Sequence, residues 1–317
     1  MSPLEQLAVD RDRANIPLPR FGIGLAPAGK LPEAAEAQAR GVVREALARG
    51  VTLLDTAPRY GNGRSERRLA AVLREQPLPP GSIIATKAGH LATADGPVAD
   101  FTRAGIRRGV EDSLGRLGVD HIDLLHLHDP DDAHALAIAE ALPAMRDLRA
   151  AGVVRAIGVA MNHPHPLARF VRETDVDCVL LAGRYTLLDQ TGLKELLPLC
   201  QSRRVPVIAA GVFNSGILAD PVPGAPYDYR PAAPELLARS RAIQALCEQH
   251  GVPLAAAAMR FPLGHPAIAT VLVGADSAAQ VRDNLRLFHH PVPDELWVDL
   301  ARHRLVAPVG DLGLRTA

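Results

Sequence analysis

The sequence predicts an α/β fold, a closed (β/α)8 or TIM barrel in a single domain spanning residues 1–317. Three observations carry that expectation. Short apolar segments alternate with helix-length amphipathic stretches eight times. That count matches a closed barrel, whereas a doubly wound sheet more often has about five to seven strands. The segments are apolar throughout rather than alternating, as parallel strands buried on both faces are. No Ser/Gly-rich linker or shift in composition divides the chain.

In chain order, the strands are expected at Phe21–Leu25, Thr52–Asp55, Ile83–Lys87, Ile122–His128, Ala156–Ala160, Cys178–Ala182, Val207–Ala210 and Thr270–Val273. Stretches such as Thr102–Leu117 and Ala133–Ala151 place apolar residues at three- and four-residue spacing and read as helices. Four junctions repeat one signature: Arg49-Gly50-Val51, Leu117-Gly118-Val119, Ala151-Gly152-Val153 and His250-Gly251-Val252. Glycine takes the left-handed conformation that ends a helix, and valine favours the strand that follows. A Rossmann reading of Gly22-Ile23-Gly24 fails because Pro27 stands where a third small residue is needed and no acidic ribose ligand follows. No P-loop sequence occurs.

Composition excludes several function classes. The 35 basic side chains balance 35 acidic ones with no long basic run, which argues against nucleic acid or an anionic membrane surface as a partner. The longest apolar stretches, Val207–Phe213 and Leu254–Met259 among them, fall far short of the ~20 residues that cross a bilayer. Met1–Arg20 mixes charges with prolines and lacks the apolar core of a secretory signal, so a cytoplasmic protein is expected. Cys178, Cys200 and Cys247 have no metal-ligand spacing and are expected as buried free thiols.

In such a barrel the active site lies at the carboxyl ends of the strands. The second strand ends in Asp55, the third in Lys87 and the fourth in His128, and Tyr60 lies just beyond the second. Taken singly, each has a bland explanation as a turn cap, a solvated cation, a core imidazole or a rim aromatic. Together they would bring an acid, a cation, a phenol and an imidazole to one mouth. A buried Lys beside a Tyr stabilises the phenolate and should lower a pKa that starts near ~10, while the Asp keeps the Lys charged. The expected result is a Tyr that exchanges a proton near neutrality.

Asp55-Thr56-Ala57-x-x-Tyr60-Gly61, Thr86-Lys87 and Asp123-x-x-x-x-His128 stand in the order and at the strand ends found in the aldo-keto reductases, which nearly the whole chain resembles. The resemblance implies a catalytic tetrad of Asp55, Tyr60, Lys87 and His128. Tyr60 would be the general acid/base, Lys87 and Asp55 would tune it, His128 would orient the substrate oxygen, and a nicotinamide would exchange a hydride. His128-Asp129-Pro130-Asp131, Leu181–Asp189 and Gly211–Leu218 resemble a branch of that family acting as aldose 1-dehydrogenases. That implies oxidation of a small-molecule sugar of the L-fucose, L-galactose or D-arabinose type to its lactone. Alternatives within the family are a pyridoxal 4-dehydrogenase and a general NADPH-dependent carbonyl reductase.

Two departures from the family pattern concern the nicotinamide: Ala210 stands where many members stack a Tyr, and Ala182 where a Gln usually meets the carboxamide. Asn162 and Phe213 are therefore the candidates to hold the ring. The resemblance adds Asn214, Ser215, Gly216, Leu218, Gly274, Gln280 and Asn284 as cofactor-binding positions. A 2′-phosphate needs cations, preferably a bidentate Arg. The positions the family uses for them hold Gly274, Asp276 and Gln280, and Arg282 should face another side of a helix beginning near Ser277. The expected cofactor is NAD, with NADP possible. Tyr227 and Tyr229 lie in a long connection that either folds over the site or is simply exposed.

Readings from other classes remain. His126-x-His128 with His163 and His165 resembles a metal-ligand set, as in a barrel hydrolase, but leaves Tyr60 and Lys87 without roles. A non-catalytic barrel is the other, since fold does not fix function. Oligomeric state is not legible.

Overall fold

The computed structural model describes residues 16–308. Eight parallel strands close into a barrel: β1 Phe21–Gly24, β2 Leu53–Asp55, β3 Ile83–Ala88, β4 Ile122–His128, β5 Val154–Met161, β6 Cys178–Ala182, β7 Val207–Ala210 and β8 Ile268–Gly274. Each pairs with its neighbours in sequence, and β1 closes the ring on β8 in the register Phe21 to Val271. All eight expected strands are present, with bounds that differ by a few residues.

Two apolar layers follow from strands buried on both faces. Leu53, Ile83, Leu124, Cys178, Ile208 and Leu272 fill the barrel interior, while the opposite faces pack against the helices. Ile16 and Leu18 join the interior cluster from below, where Thr270 donates to the Pro19 carbonyl. The amino-terminal end is thus plugged, and the open mouth is at the strands' carboxyl ends.

The four Gly-Val junctions behave alike. Gly50, Gly118, Gly152 and Gly251 have φ of +74°, +68°, +75° and +68°. The amides of Val51, Val119, Val153 and Val252 reach back to the carbonyls of Ala46, Leu114, Leu148 and Cys247 at 2.8–3.4 Å. These bonds satisfy carbonyls that a helix end would otherwise orphan.

Helix Arg103–Leu117 is capped by Thr102, whose side chain accepts from the Gly105 amide. The helix expected over Ala133–Ala151 is interrupted: a short turn His134–Leu136, a π-helical turn Ala137–Ala141, then helix Leu142–Ala150. Pro143 explains the break, because it has no N–H to donate and its ring crowds the carbonyl four residues earlier. Two hairpins lie outside the barrel, His90–Thr93 with Gly96–Ala99, and Pro226–Tyr227 with Arg230–Pro231. Among the described residues no helix is long and apolar enough to cross a membrane. The three cysteines are free and buried.

Candidate active site

Adjacent strand ends bring the four residues to one rim. Asp55 ends β2, Lys87 lies next to last on β3 and His128 ends β4, with β2 paired to β3 and β3 to β4. Lys87 Nζ donates to both Asp55 carboxylate oxygens, at 2.6 and 2.8 Å, and to the Thr56 carbonyl at 2.9 Å. The same ammonium also hydrogen-bonds the Tyr60 side chain. The same nitrogen lies 4.8 Å from the centre of the Tyr60 ring, and the Tyr60 and His128 rings meet edge to face at 5.9 Å. Asp55 and Lys87 are almost completely buried, and Tyr60 is half-buried at the rim.

Burial sets the electrostatics. It pulls Lys87 down, but Asp55 and the Tyr60 phenol outweigh it and leave the ammonium above its ordinary range. Burial raises the Asp55 carboxyl against the pull of Lys87. Since Lys87 donates to both carboxylate oxygens, the pair is an ionised one. For Tyr60 the sequence expectation needs correction: burial raises the phenol above its ordinary range, and Lys87 only opposes that rise. Desolvation disfavours the phenolate, a cost that residue spacing does not reveal. His128 is held well below the usual imidazole range by burial first, then by Lys87 and Arg59. Its Nδ1 is buried without a partner among the described residues. A buried orphan acceptor is less costly than an orphan N–H, so the proton belongs on Nε2.

The loops after β6, β7 and β8 form the other side of the mouth. β6 ends in Ala182 followed by Gly183, and β7 in Ala210 followed by Gly211, so these two strand ends themselves present nothing larger than a methyl. Asn214 is buried, takes a bond from Thr186 at 2.6 Å and donates to the Gly183 carbonyl. Asn214, Ser215 and Gly216 all have positive φ, and Leu218 is fully buried, so these residues shape the turn while Phe213 stays half-exposed. Asn162 is exposed just beyond β5. Beyond β8, Ser277 caps helix Ala278–Phe288, Gln280 accepts from the Asp276 amide, and Asn284 donates to the Gly274 carbonyl. Arg282 pairs with Glu45 at 3.1 Å, away from that turn.

The hairpin carrying Tyr227 and Tyr229 is tied to the mouth. Arg184, beyond β6, pairs with both oxygens of Asp228. The Tyr229 amide donates to Ser215, and Lys30, at the end of the short helix Ala26–Lys30 that follows β1, lies over the Tyr229 ring. Asp228 and Tyr229 both have positive φ, as the two central residues of a type I′ turn do. The hairpin thus bridges the segments after β7 and β1, with the Tyr229 ring itself exposed.

Residues 20–304 match the model of the aldo/keto reductase family. The chain belongs to that family. It is 39% identical to D-threo-aldose 1-dehydrogenase of a Pseudomonas species, over 92% of this chain and 96% of that one. It is 37% identical to pyridoxal 4-dehydrogenase of Microbacterium luteolum, over 93% and 96%. L-galactose dehydrogenase of Arabidopsis thaliana is 33% identical over 83% of this chain and 82% of its own. An aldo-keto reductase of Bacillus halodurans superposes with a TM-score of 0.74 at 27% identity, covering 95% of this chain and 93% of that one. The chain is an oxidoreductase acting on CH–OH groups, in a family that uses nicotinamide cofactors and small-molecule sugar or aldehyde substrates.

Other histidines of this aldo-keto reductase have separate surroundings. His126 is buried inside the barrel, 3.7 Å from Cys178 Sγ. His163 and His165 are exposed and paired with Asp131 and Glu195. Among the described residues no group of three or more potential ligands could hold a metal. A groove of about 900 Å³ lies outside the barrel among Arg40, Arg64, Arg68, Arg74 and Arg116 and contains none of Asp55, Tyr60, Lys87 and His128.

Sequence reasoning missed three features at the rim. Arg59 donates to Asp129 at 3.2 Å, joining the Tyr60 segment to the end of β4. Glu66, fully buried, accepts from Thr86 and pairs with Arg116 at 2.6 Å, anchoring helix Arg64–Leu73 behind the Tyr60 turn. His90 packs edge to face on His128 at 5.7 Å. Only the motif Lys87-Ala88-Gly89-His90 could have signalled it, and that spacing alone names no contact.

Proposed function

We propose that this aldo-keto reductase oxidises an aldose at C1 to the sugar lactone with NAD. The observation that carries the chemistry is the buried Asp55–Lys87 ion pair set beside the Tyr60 ring, with a neutral His128 edge-on to the same ring. The small residues at the ends of β6 and β7 leave room for a planar ring, and Asn162 and Phe213 are the candidates to hold it. The turn Phe213–Gly216 with Leu218, and Gly274, Gln280 and Asn284, would hold the rest of the cofactor. Bound nicotinamide supplies the acceptor for the C1 hydride.

The chain's own residues handle the proton. His128 Nε2–H donates to the anomeric oxygen and holds the hydroxyl against Tyr60. Tyr60, as phenolate, takes the hydroxyl proton as the C1–H bond yields its electron pair and the C1–O bond becomes a carbonyl. Lys87, kept charged by Asp55, opposes the cost of a phenolate in a buried setting. In the reverse direction the same phenol would donate its proton, so the tetrad serves either direction. The oxidative direction is supported by the likeness to an aldose 1-dehydrogenase at 39% identity.

NAD is favoured because the turn after β8 presents Asp276, which repels a phosphate, while Arg282 is engaged with Glu45. Pyridoxal is the second reading, supported by the likeness to pyridoxal 4-dehydrogenase. The test follows nicotinamide absorbance with NAD or NADP against L-fucose, L-galactose, D-arabinose and pyridoxal. NADH formation with a sugar and a lower Michaelis constant for NAD than for NADP are expected. Oxidation of pyridoxal alone would favour the second reading. NADPH consumption with simple aldehydes, and no reaction with any sugar, would overturn the aldose assignment.

A further inference from the structure

We propose that His90 is a specificity-determining residue of this site, donating a hydrogen bond from Nε2 to a hydroxyl on the carbon adjacent to the one that reacts. The inference rests on the oxidoreductase reading of the tetrad and names a further group that reads the substrate. His90 opens the hairpin that follows β3, three residues after Lys87. Its ring stands edge to face against His128 on one side, at 5.7 Å, and against Phe101 on another, at 5.5 Å. Gly89 makes this possible: its φ is +98°, and a Cβ there would fall 2.4 Å from the Phe101 ring. The Asp100 amide closes the hairpin on the Gly89 carbonyl at 2.9 Å. The ring is thus fixed by packing rather than by a hydrogen bond.

Which nitrogen faces the substrate follows from burial. Nδ1 of His90 is buried and has no partner among the described residues, whereas the residue as a whole is only partly buried. Burial, followed by the charge of Arg59, lowers its pKa to about 4, so the ring is neutral at working pH and carries one proton. That proton is better placed on Nε2, at the open part of the ring, than on a nitrogen sealed without an acceptor. His128 has the same arrangement, with its own Nδ1 buried and unpartnered. Two neutral imidazoles therefore present N–H donors side by side at one rim. One serves the oxygen that reacts; the second is placed for the neighbouring oxygen of a polyol. A simple aldehyde has nothing for it to bind.

The test compares substrates that differ only at that neighbouring carbon. In the reducing direction the pair is lactaldehyde and propionaldehyde; in the oxidising direction it is the preferred aldose and its 2-deoxy analogue. Wild-type enzyme should favour the hydroxylated member of each pair in kcat/KM. His90→Phe keeps the packing against Phe101 and His128 but removes the donor. It should shrink that preference about threefold to tenfold, the worth of one neutral hydrogen bond, with propionaldehyde turnover little changed. His90→Gln, which retains an N–H, should recover part of the preference. An unchanged preference in His90→Phe, or equal losses on both members of a pair, would overturn the proposal. Failure of every aldose with preserved lactaldehyde reduction would sink the aldose reading, and the aldehyde pair would still decide the role of His90.

Discussion

In the proposed mechanism Tyr60 is the residue on which the chemistry turns, because it is the group that exchanges a proton with the substrate. Replacing it with Phe removes the proton and keeps the ring against His128 and Lys87. Turnover should fall by about two to four orders of magnitude, with little change in cofactor affinity by fluorescence titration; unchanged turnover would remove Tyr60 from the mechanism. The direction of its pKa shift predicts a pH profile. Burial raises the phenol above its ordinary range, and oxidation needs the phenolate, so kcat/KM for oxidation should keep rising with pH above 8. Reduction needs the phenol, which the raised pKa keeps protonated, and should hold level up to pH 10. Initial rates in both directions across pH 6–10 check the sign. The meeting of Asp55, Tyr60, Lys87 and His128 was legible in the sequence because successive barrel strands deliver their ends to one rim. The sign of the Tyr60 shift was not, because spacing shows the neighbouring cation and hides the desolvation. His90 was not legible either, since its placement depends on the left-handed turn at Gly89 and on Phe101 eleven residues away.

At the scale of elements, the Tyr60 turn owes its position to helix Arg64–Leu73, and that helix is held by buried polar contacts rather than by apolar packing alone. Thr56 donates to Ser65 at 2.7 Å, and Glu66 bridges Thr86 on β3 to Arg116 on helix Arg103–Leu117. Arg68 donates to the carbonyls of Ala28, Leu31 and Pro32, tying the same helix to the loop after β1. Glu66→Ala would leave Arg116 and Thr86 without their shared acceptor, and breaking a buried pair in this way costs about 3–5 kcal/mol. Urea unfolding of wild type and variant measures the loss; a cost under about 1 kcal/mol, the range of an exposed ion pair, would contradict it. The strands and their Gly-Val junctions were legible because they are local signals. The break in the helix before β5 had its cause in view at Pro143, yet the apolar periodicity continues through it and conceals the π turn. The hairpin at Asp228-Tyr229 was hidden because its type I′ turn lacks the usual Asn-Gly or Asp-Gly.

For the whole molecule, a barrel with both strand faces buried carries imidazoles in places where they remain neutral. Burial, followed by Lys87, brings the pKa of His126 inside the barrel to about 3. In the unfolded chain it would titrate near ~6.5, so below that pH the unfolded state binds more protons and stability falls. The contribution of His126 is fully present above pH 6.5 and should be lost at about 1.4 kcal/mol per pH unit as the pH drops toward 4. Urea unfolding at pH 7 and pH 5 measures the slope, and His126→Leu should make it shallower by the share of one histidine, with His90 and His128 still contributing; an equal slope in the variant would assign the loss to other groups. The fold class was legible because the eightfold alternation belongs to the whole chain. The substrate is set by loops whose course depends on contacts such as Arg184 with Asp228, far apart in sequence. The central claim, hydride transfer from C1 of an aldose, is tested most directly with L-fucose or L-galactose deuterated at C1, mixed with enzyme and NAD. Mass spectrometry should find the deuterium on the reduced nicotinamide and the sugar converted to its lactone. Sugar recovered with its deuterium in place, while simple aldehydes are reduced by the same preparation, would contradict it.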